Sequence, residues 1–124
     1  MTVLSALRDE LVAALSGLDI YTYTHIPGRM ALPGAFVMAG SPYISQGQTF
    51  GARTVRFEVV IATQTGDNSA ETSALDELLE AAQTALETEG WLVEQVSQPY
   101  AMDFNNSEAL VTSITVTSDV TFSS

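Results

Sequence analysis

Residues 54–63 read TVRFEVVIAT, from Thr54 to Thr63. The run alternates. Val55, Phe57, Val59 and Ile61 fall on one side; Arg56, Glu58, Val60 and Ala62 fall on the other. Successive side chains of a strand point to opposite faces. Branched and aromatic residues at these positions suit a half-buried pleat. The stretch therefore predicts a central strand, and the remaining segments are read by how they can pack around it.

Two segments upstream read as strands. Ile20 to Thr24 alternates Ile, Tyr, Thr, Tyr, Thr, and Ala35 to Ala39 is short and apolar. Between them, Pro27-Gly28 and Pro33-Gly34 are turn dipeptides. Downstream, Leu92 to Val96 and about Ala109 to Phe122 read as strands. The last carries Leu110, Ile114, Val116, Val120 and Phe122 on one face. Val111, Ser113, Thr115, Thr117, Asp119 and Thr121 lie on the other. Gln98 to Ser107 reads as a polar loop around Pro99 and Asn105-Asn106.

Helical spacing appears twice. Leu4, Leu7, Leu11, Leu15 and Leu18 recur at three- and four-residue intervals, which lines them on one face. Thr2 suits the start as a cap, and Gly17 suits the stop. Arg8 is expected on the solvated side. From about Ser69 to Glu89, Leu75, Leu78, Leu79, Ala82 and Leu86 form a second apolar stripe. Asn68 and Glu71 match capping-box spacing, and Gly90 ends the segment, with Trp91 anchoring the turn. The expected fold class is α+β in the order α-β-β-β-α-β-β. A largely antiparallel sheet would carry both helices on its apolar face and leave a polar, threonine-rich face opposite.

The chain has 124 residues, the size of one domain, and no linker divides it. A domain of this length buries about two-thirds of its unfolded surface, so a core without staples is feasible. Cysteine is absent, which removes disulfides, zinc-thiolate sites and thiol nucleophiles. The first residues have no basic segment followed by an apolar run, so no signal peptide is expected. No apolar stretch approaches the roughly 18 residues of a membrane span. Fifteen acids face four arginines and no lysine, giving a net charge of −11. Phosphate backbones are bound through Lys and Arg, so this balance points away from nucleic acid and anionic membranes.

Catalytic and metal chemistry find little support. His25 is the one histidine, and no G-x-S-x-G elbow accompanies it. The glycine-bearing segment Gly40 to Gly51 lacks the lysine of a phosphate loop. Glu71, Asp76, Glu77, Glu80 and Glu87 are spaced along a helix, whereas calcium needs six to eight converging oxygens. No catalytic residue, metal ligand or cofactor is therefore assigned.

Assembly finds more support. The segment at about 40–53 has three glycines and a proline and reads as a flexible arm. Tyr43, Ile44, Phe50, Arg53 and Arg56 cluster in or beside it. Arginine and aromatic residues are enriched at interfaces, and this group is the expected subunit interface. The same residues also suit an arm folded back on its own sheet edge.

The order of elements adds a resemblance. A leading helix, Ile20-Tyr21-Thr22-Tyr23, and a proline loop running into Leu32-Pro33-Gly34-Ala35-Phe36-Val37-Met38 come first. A glycine-containing arm, Val55-Arg56-Phe57-Glu58-Val59-Val60-Ile61, Gly66-Asp67-Asn68, a Leu/Ala/Glu helix and a Thr-rich terminal strand follow. Over nearly the whole chain this resembles the tail terminator proteins of long-tailed bacteriophages, also called minor tail or tail completion subunits. The resemblance implies a hexameric ring at the head-proximal end of the tail tube. Such a ring ends tube polymerisation, docks the head-side connector and lets DNA through without specific binding. It implies a virion component made in the host cytoplasm.

By analogy with tube proteins, the polar sheet face would line the channel, placing Glu58, Ser113, Thr115, Thr117 and Asp119 near DNA. The reverse orientation, with the helix acids lining the bore, meets the same electrostatics. Other expectations stay open: a head-closure protein or tube subunit of the same assembly, or a small α+β ligand-binding domain or enzyme.

Overall fold

The computed structural model describes residues 2–18, 20–25, 31–47, 51–64, 69–104 and 107–121. In chain order they form α1 (Val3–Leu15), β1 (Tyr21–Tyr23), β2 (Gly34–Gln46) and β3 (Ala52–Gln64). Then come α2 (Ser69–Thr88), β4 (Leu92–Val96), β5 (Tyr100–Phe104) and β6 (Ser107–Thr121). The fold is α+β, with two α-helices and a six-stranded sheet among the described residues.

The sheet is built outward from β3. It pairs antiparallel with β2 on one side and with β6 on the other, with Val59 opposite both Val37 and Ile114. β1 adds parallel to β2, Tyr21 opposite Gly34. β4 and β5 both pair antiparallel with β6, at successive levels along it.

Three expectations change. The expected order lacked β5, because Gln98 to Ser107 read as a polar loop around Pro99 and Asn105-Asn106. Here Tyr100–Phe104 forms a hairpin with β6, Phe104 opposite Ser107. The supposed arm at about 40–53 is instead largely strand: β2 continues to Gln46, with Ile44 opposite Val55 and Gln46 opposite Arg53. Its irregularity is a bulge between Ala39 and Ile44, which takes up Gly40 and Pro42 without ending the strand. Third, Gly17 does not stop α1. The helix passes at Ser16 into a single 3-10 turn, Ser16–Leu18.

The start of α1 and the end of α2 obey local chemistry. The Ser5 N–H donates to Thr2 Oγ1 at 3.0 Å, satisfying one donor the helix leaves orphaned. At the end of α2, Gly90 takes φ +92°. The Gly90 N–H donates to the Glu87 carbonyl and the Trp91 N–H to the Leu86 carbonyl. These are the two bonds of a Schellman stop, and they turn Trp91 into the core, where it is buried. Asn68 of the expected Asn68–Glu71 capping pair lies outside the described residues.

The main core lies between the helices and one sheet face. Leu7, Leu11 and Leu15 of α1 and Leu75, Ala82 and Leu86 of α2 meet Val55, Phe57, Val59, Ile61, Ile114 and Val116. Phe57 sits at its centre, edge-on to Tyr43 and to Trp91. Deleting a buried leucine here costs about 2–5 kcal/mol by lost transfer energy and cavity formation.

The opposite face is only half polar. Phe36, Val60, Ala62, Ala109 and Val111 form a second, smaller apolar cluster there, flanked by Tyr23, Leu32, Met38 and Met102. The expected threonine-rich surface is confined to the other half of that face.

Candidate assembly interface

The residues expected at the subunit interface do not share one surface. Tyr43 turns inward: its ring centroid lies 5.6 Å from that of Phe57, and its Oη accepts a 2.9 Å hydrogen bond from Arg8 Nη2. The Arg8 guanidinium lies 5.8 Å from the Tyr43 ring centroid and 5.5 Å from that of Phe57. Arg8, expected to be solvated, is thus half-buried against two aromatic faces. This geometry stabilises a cation through the ring quadrupoles. Tyr43 is a packing residue of this fold, a correction to its expected place on a shared surface.

Ile44 and Arg53 lie on the helix-bearing side of the sheet, since Ile44 pairs with Val55 and Arg53 is two residues from it. Ile44 is exposed. Arg53 donates from Nη1 to its own neighbour's carbonyl, Ala52 O, at 2.9 Å. Arg56, one residue out of phase, lies on the opposite side. Phe50 lies outside the described residues.

Arg56 is held within the chain. Its Nη2 and Nε donate to Glu94 Oε2 at 2.8 and 3.1 Å, and its Nη1 donates to the Pro42 carbonyl at 3.1 Å. The guanidinium therefore ties the β2 bulge to β4 across β6. Gly40 makes room for it: a Cβ there would come within 2.5 Å of Arg56 Cγ.

Glu58, Ser113, Thr115, Thr117 and Asp119 do share a face, the one without helices. In register, Glu58 stands opposite Thr115, Arg56 opposite Thr117 and Thr54 opposite Asp119. Thr54 Oγ1 donates to Asp119 Oδ1 at 2.7 Å. Asp119 is exposed and Glu58 half-buried, while Ser113, Thr115 and Thr117 are buried by their neighbours. Ser113 is covered where β4 passes into β5. Its N–H donates to Ser97 Oγ, its carbonyl accepts from the Ser97 N–H, and its Oγ lies 3.3 Å from Tyr100 Oη.

The outer strands are where apolar surface shows. Besides Val3, the exposed large apolar residues among the described residues are Tyr21 on β1, Ile44 on β2, Leu92 and Val96 on β4, and Tyr100 on β5. Leu92 and Tyr21 are the most open, at 66% and 59%. β2 is paired on its outer side only through Gly34–Phe36, and β4 and β5 pair only with β6 among the described residues. Among the described residues, both sides of the sheet thus end in open backbone edges, which are templates for further strand pairing. The sequence reading missed Leu92, Val96 and Tyr100. Their signal was an apolar pair flanking Glu94 on a strand too short to bury both faces.

His25 was the remaining chemical candidate. It lines an open groove of about 480 Å³ with Ser5, Arg8, Asp9 and Thr24. Thr24 Oγ1 lies 3.3 Å from its Nδ1. Among the described residues, neither Ser5 nor Asp9 hydrogen-bonds the imidazole, so the groove gathers a hydroxyl, an acid and a base without linking them into a proton relay. The α2 acids Asp76, Glu77, Glu80 and Glu87 are exposed along the helix. No group of three or more metal-ligating side chains converges among the described residues. No described helix is long and apolar enough to cross a membrane.

No protein-family model matches this chain, and no curated protein matches it.

Proposed function

We propose that the chain is a structural virion subunit that assembles with copies of itself into a ring at the head-proximal end of a phage tail tube. There it ends tube polymerisation and docks the head-side connector, and DNA passes through the ring without specific binding. One observation carries the assembly part of this reading: among the described residues, the sheet ends on both sides in open edges, and five of the six exposed large apolar residues lie on those outer strands. Exposed apolar groups on unpaired strands favour association with protein, through main-chain hydrogen bonds and side-chain burial together. The ring, its hexameric count and its partners come from the resemblance.

The electrostatics support passage of DNA. The polar half of the helix-free face carries Glu58, Glu94 and Asp119 against Arg56. Three acids and one base leave that half negative, and Arg56 is matched by Glu94. A bore lined this way would repel phosphates.

A second reading has its own observation. The sheet is richer in strand than expected, with two strands of 13 residues and one of 15, which favours a tube subunit of the same assembly. Adding the purified chain to polymerising tube subunits separates the two. A terminator shortens the tubes and sits at one end; a tube subunit co-polymerises along them. Tubes of unchanged length with no bound chain would refute both.

A further inference from the structure

We infer that the groove beside Arg8 takes a carboxylate from a second copy of this chain, presented by the acidic outer flank of that copy's α2. The inference rests on the reading that the chain self-assembles, and it names the surfaces that meet.

The groove holds a cation without a counter-charge. Arg8 is half-buried. One of its N–H donors goes to Tyr43 Oη, and the Tyr43 and Phe57 rings hold the guanidinium in place. It makes no ion pair; among the described residues the one salt bridge is Arg56–Glu94. A guanidinium has five N–H donors in a fixed fork, so most of Arg8's remain to be used. A fixed guanidinium with donors to spare is suited to a carboxylate. The Ser5 and Thr24 hydroxyls and the His25 imidazole line the same groove and supply further hydrogen-bonding groups. Asp9 also lines it and is exposed, which favours a singly charged guest over a dianion. The groove is open, whereas sites for small molecules enclose most of their ligand. Its shape therefore suits a carboxylate carried on another protein surface.

Position points to a second copy. On one sheet face, α1 packs over β1 and β2, and α2 over β3 and β4. Glu10, Ala13 and Ala14 of α1 line a cleft with Glu89 and Trp91 at the end of α2. Ser5, Arg8 and Asp9 lie on the other flank of α1, away from α2. On α2, Glu77, Leu78 and Ala81 line a cleft with Leu18 and Ile20. With 3.6 residues per turn, Asp76, Glu80 and Glu87 fall on the opposite flank. All three are exposed, and none is ion-paired among the described residues. The helix layer thus has an unpaired cation on one outer flank and three unpaired acids on the other. Copies repeated about a ring axis bring unlike flanks together. Pairing of like flanks would set Arg8 near Arg8, or acid on acid. Opposite charge both attracts and fixes the pairing.

The chain has no native cysteine, so single thiols report the contact. Ala39→Cys, next to Met38 of the groove, and Thr84→Cys, between Glu80 and Glu87, both replace exposed residues. The two purified variants, one tagged for mass, are mixed and treated with a short bis-maleimide. Cross-links between the variants should exceed self-cross-links of either one severalfold. Adding Asp76→Asn, Glu80→Gln and Glu87→Gln to the Thr84→Cys variant should lower the mixed yield severalfold. Arg8→Met in the Ala39→Cys variant should do the same, with circular dichroism showing each variant folded. The acid-side variants keep the test decisive if Arg8→Met unfolds the chain. Predominant self-cross-linking would overturn the inference, and so would a mixed yield that neutralising the three acids leaves unchanged. The unmodified chain's mass is measured beside them. If it assembles while these positions do not cross-link, the surface assignment alone fails; if it neither assembles nor cross-links, the self-assembly reading fails with it.

Discussion

Arg56 on β3 reaches across β6 to Glu94 on β4, Nη2 to Oε2 at 2.8 Å, and holds the Pro42 carbonyl of the β2 bulge with its other amino group. One side chain thus ties three strands together on the face without helices. The Arg56 side chain is 16% exposed and that of Glu94 41%, so solvent screens much of the attraction. Neutralising either partner should cost about 0.5–1.5 kcal/mol, and a double-mutant cycle on Arg56→Met and Glu94→Gln should return a coupling of about 1 kcal/mol or less. Urea titration at two salt concentrations would check this, with the smaller coupling at high salt. No coupling at low salt would remove the clasp from the account.

Arg8 makes the corresponding connection on the other face. Its hydrogen bond to Tyr43 and its position over the Tyr43 and Phe57 rings should make Arg8→Ala cost about 1–2 kcal/mol. Tyr43→Phe removes only the hydrogen bond and should cost roughly 0.5–1.5 kcal/mol. A shift in the denaturation midpoint at constant slope would measure both. An unchanged midpoint for Arg8→Ala would mean that the side chain is solvated, as its helical position alone suggested.

Glycine positions separate steric need from backbone need. Gly40→Ala would drive a methyl group into Arg56, with Cγ at 2.5 Å and the backbone carbonyl at 3.0 Å. It should cost about 1–3 kcal/mol, as overpacking does, and it should abolish the Arg56–Glu94 coupling. Gly17→Ala meets nothing within 4 Å and should be neutral or slightly stabilising. Thermal unfolding of the two variants should move in opposite directions or leave only Gly40→Ala shifted.

Thr112 and Thr63 carry buried hydroxyl groups with no hydrogen-bond partner among the described residues. Thr112 is fully buried on the helix-bearing face, opposite Ile61. An unsatisfied buried hydroxyl costs about 1–3 kcal/mol, so Thr112→Val, of nearly the same shape, should stabilise the chain by about 1 kcal/mol. A loss of stability instead would show that the hydroxyl has a partner.

The parts of the fold visible in the sequence were those set by local periodicity. Leu7, Leu11 and Leu15, and Leu75 and Leu86, fall at helical spacing and are all buried. Val55, Phe57, Val59 and Ile61 alternate and are all buried on one face. The misreadings share a cause. Gly40, Ser41 and Pro42 look like loop, but β3 supplies the pairing that keeps them in a bulged strand. Tyr100–Phe104 looks like part of a polar loop because its strand character comes from pairing with β6 rather than from an alternating pattern of its own. The scatter of the candidate interface residues over different surfaces has a related reason. Tyr43 lies 35 residues from Arg8 and Arg56 lies 38 from Glu94, and no local pattern announces either partner. Both residues read as available for a neighbour and are satisfied internally, while Leu92, Val96 and Tyr100 at the open edge carried only weak local signals.

Mass in solution across a wide concentration range, by sedimentation or native mass spectrometry, tests the central claim most directly: copies of this chain associate head to tail into a closed ring. The account predicts a closed six-membered species, or a monomer that becomes one only on the tail tube. A two-fold dimer persisting unchanged from low to high concentration would contradict it.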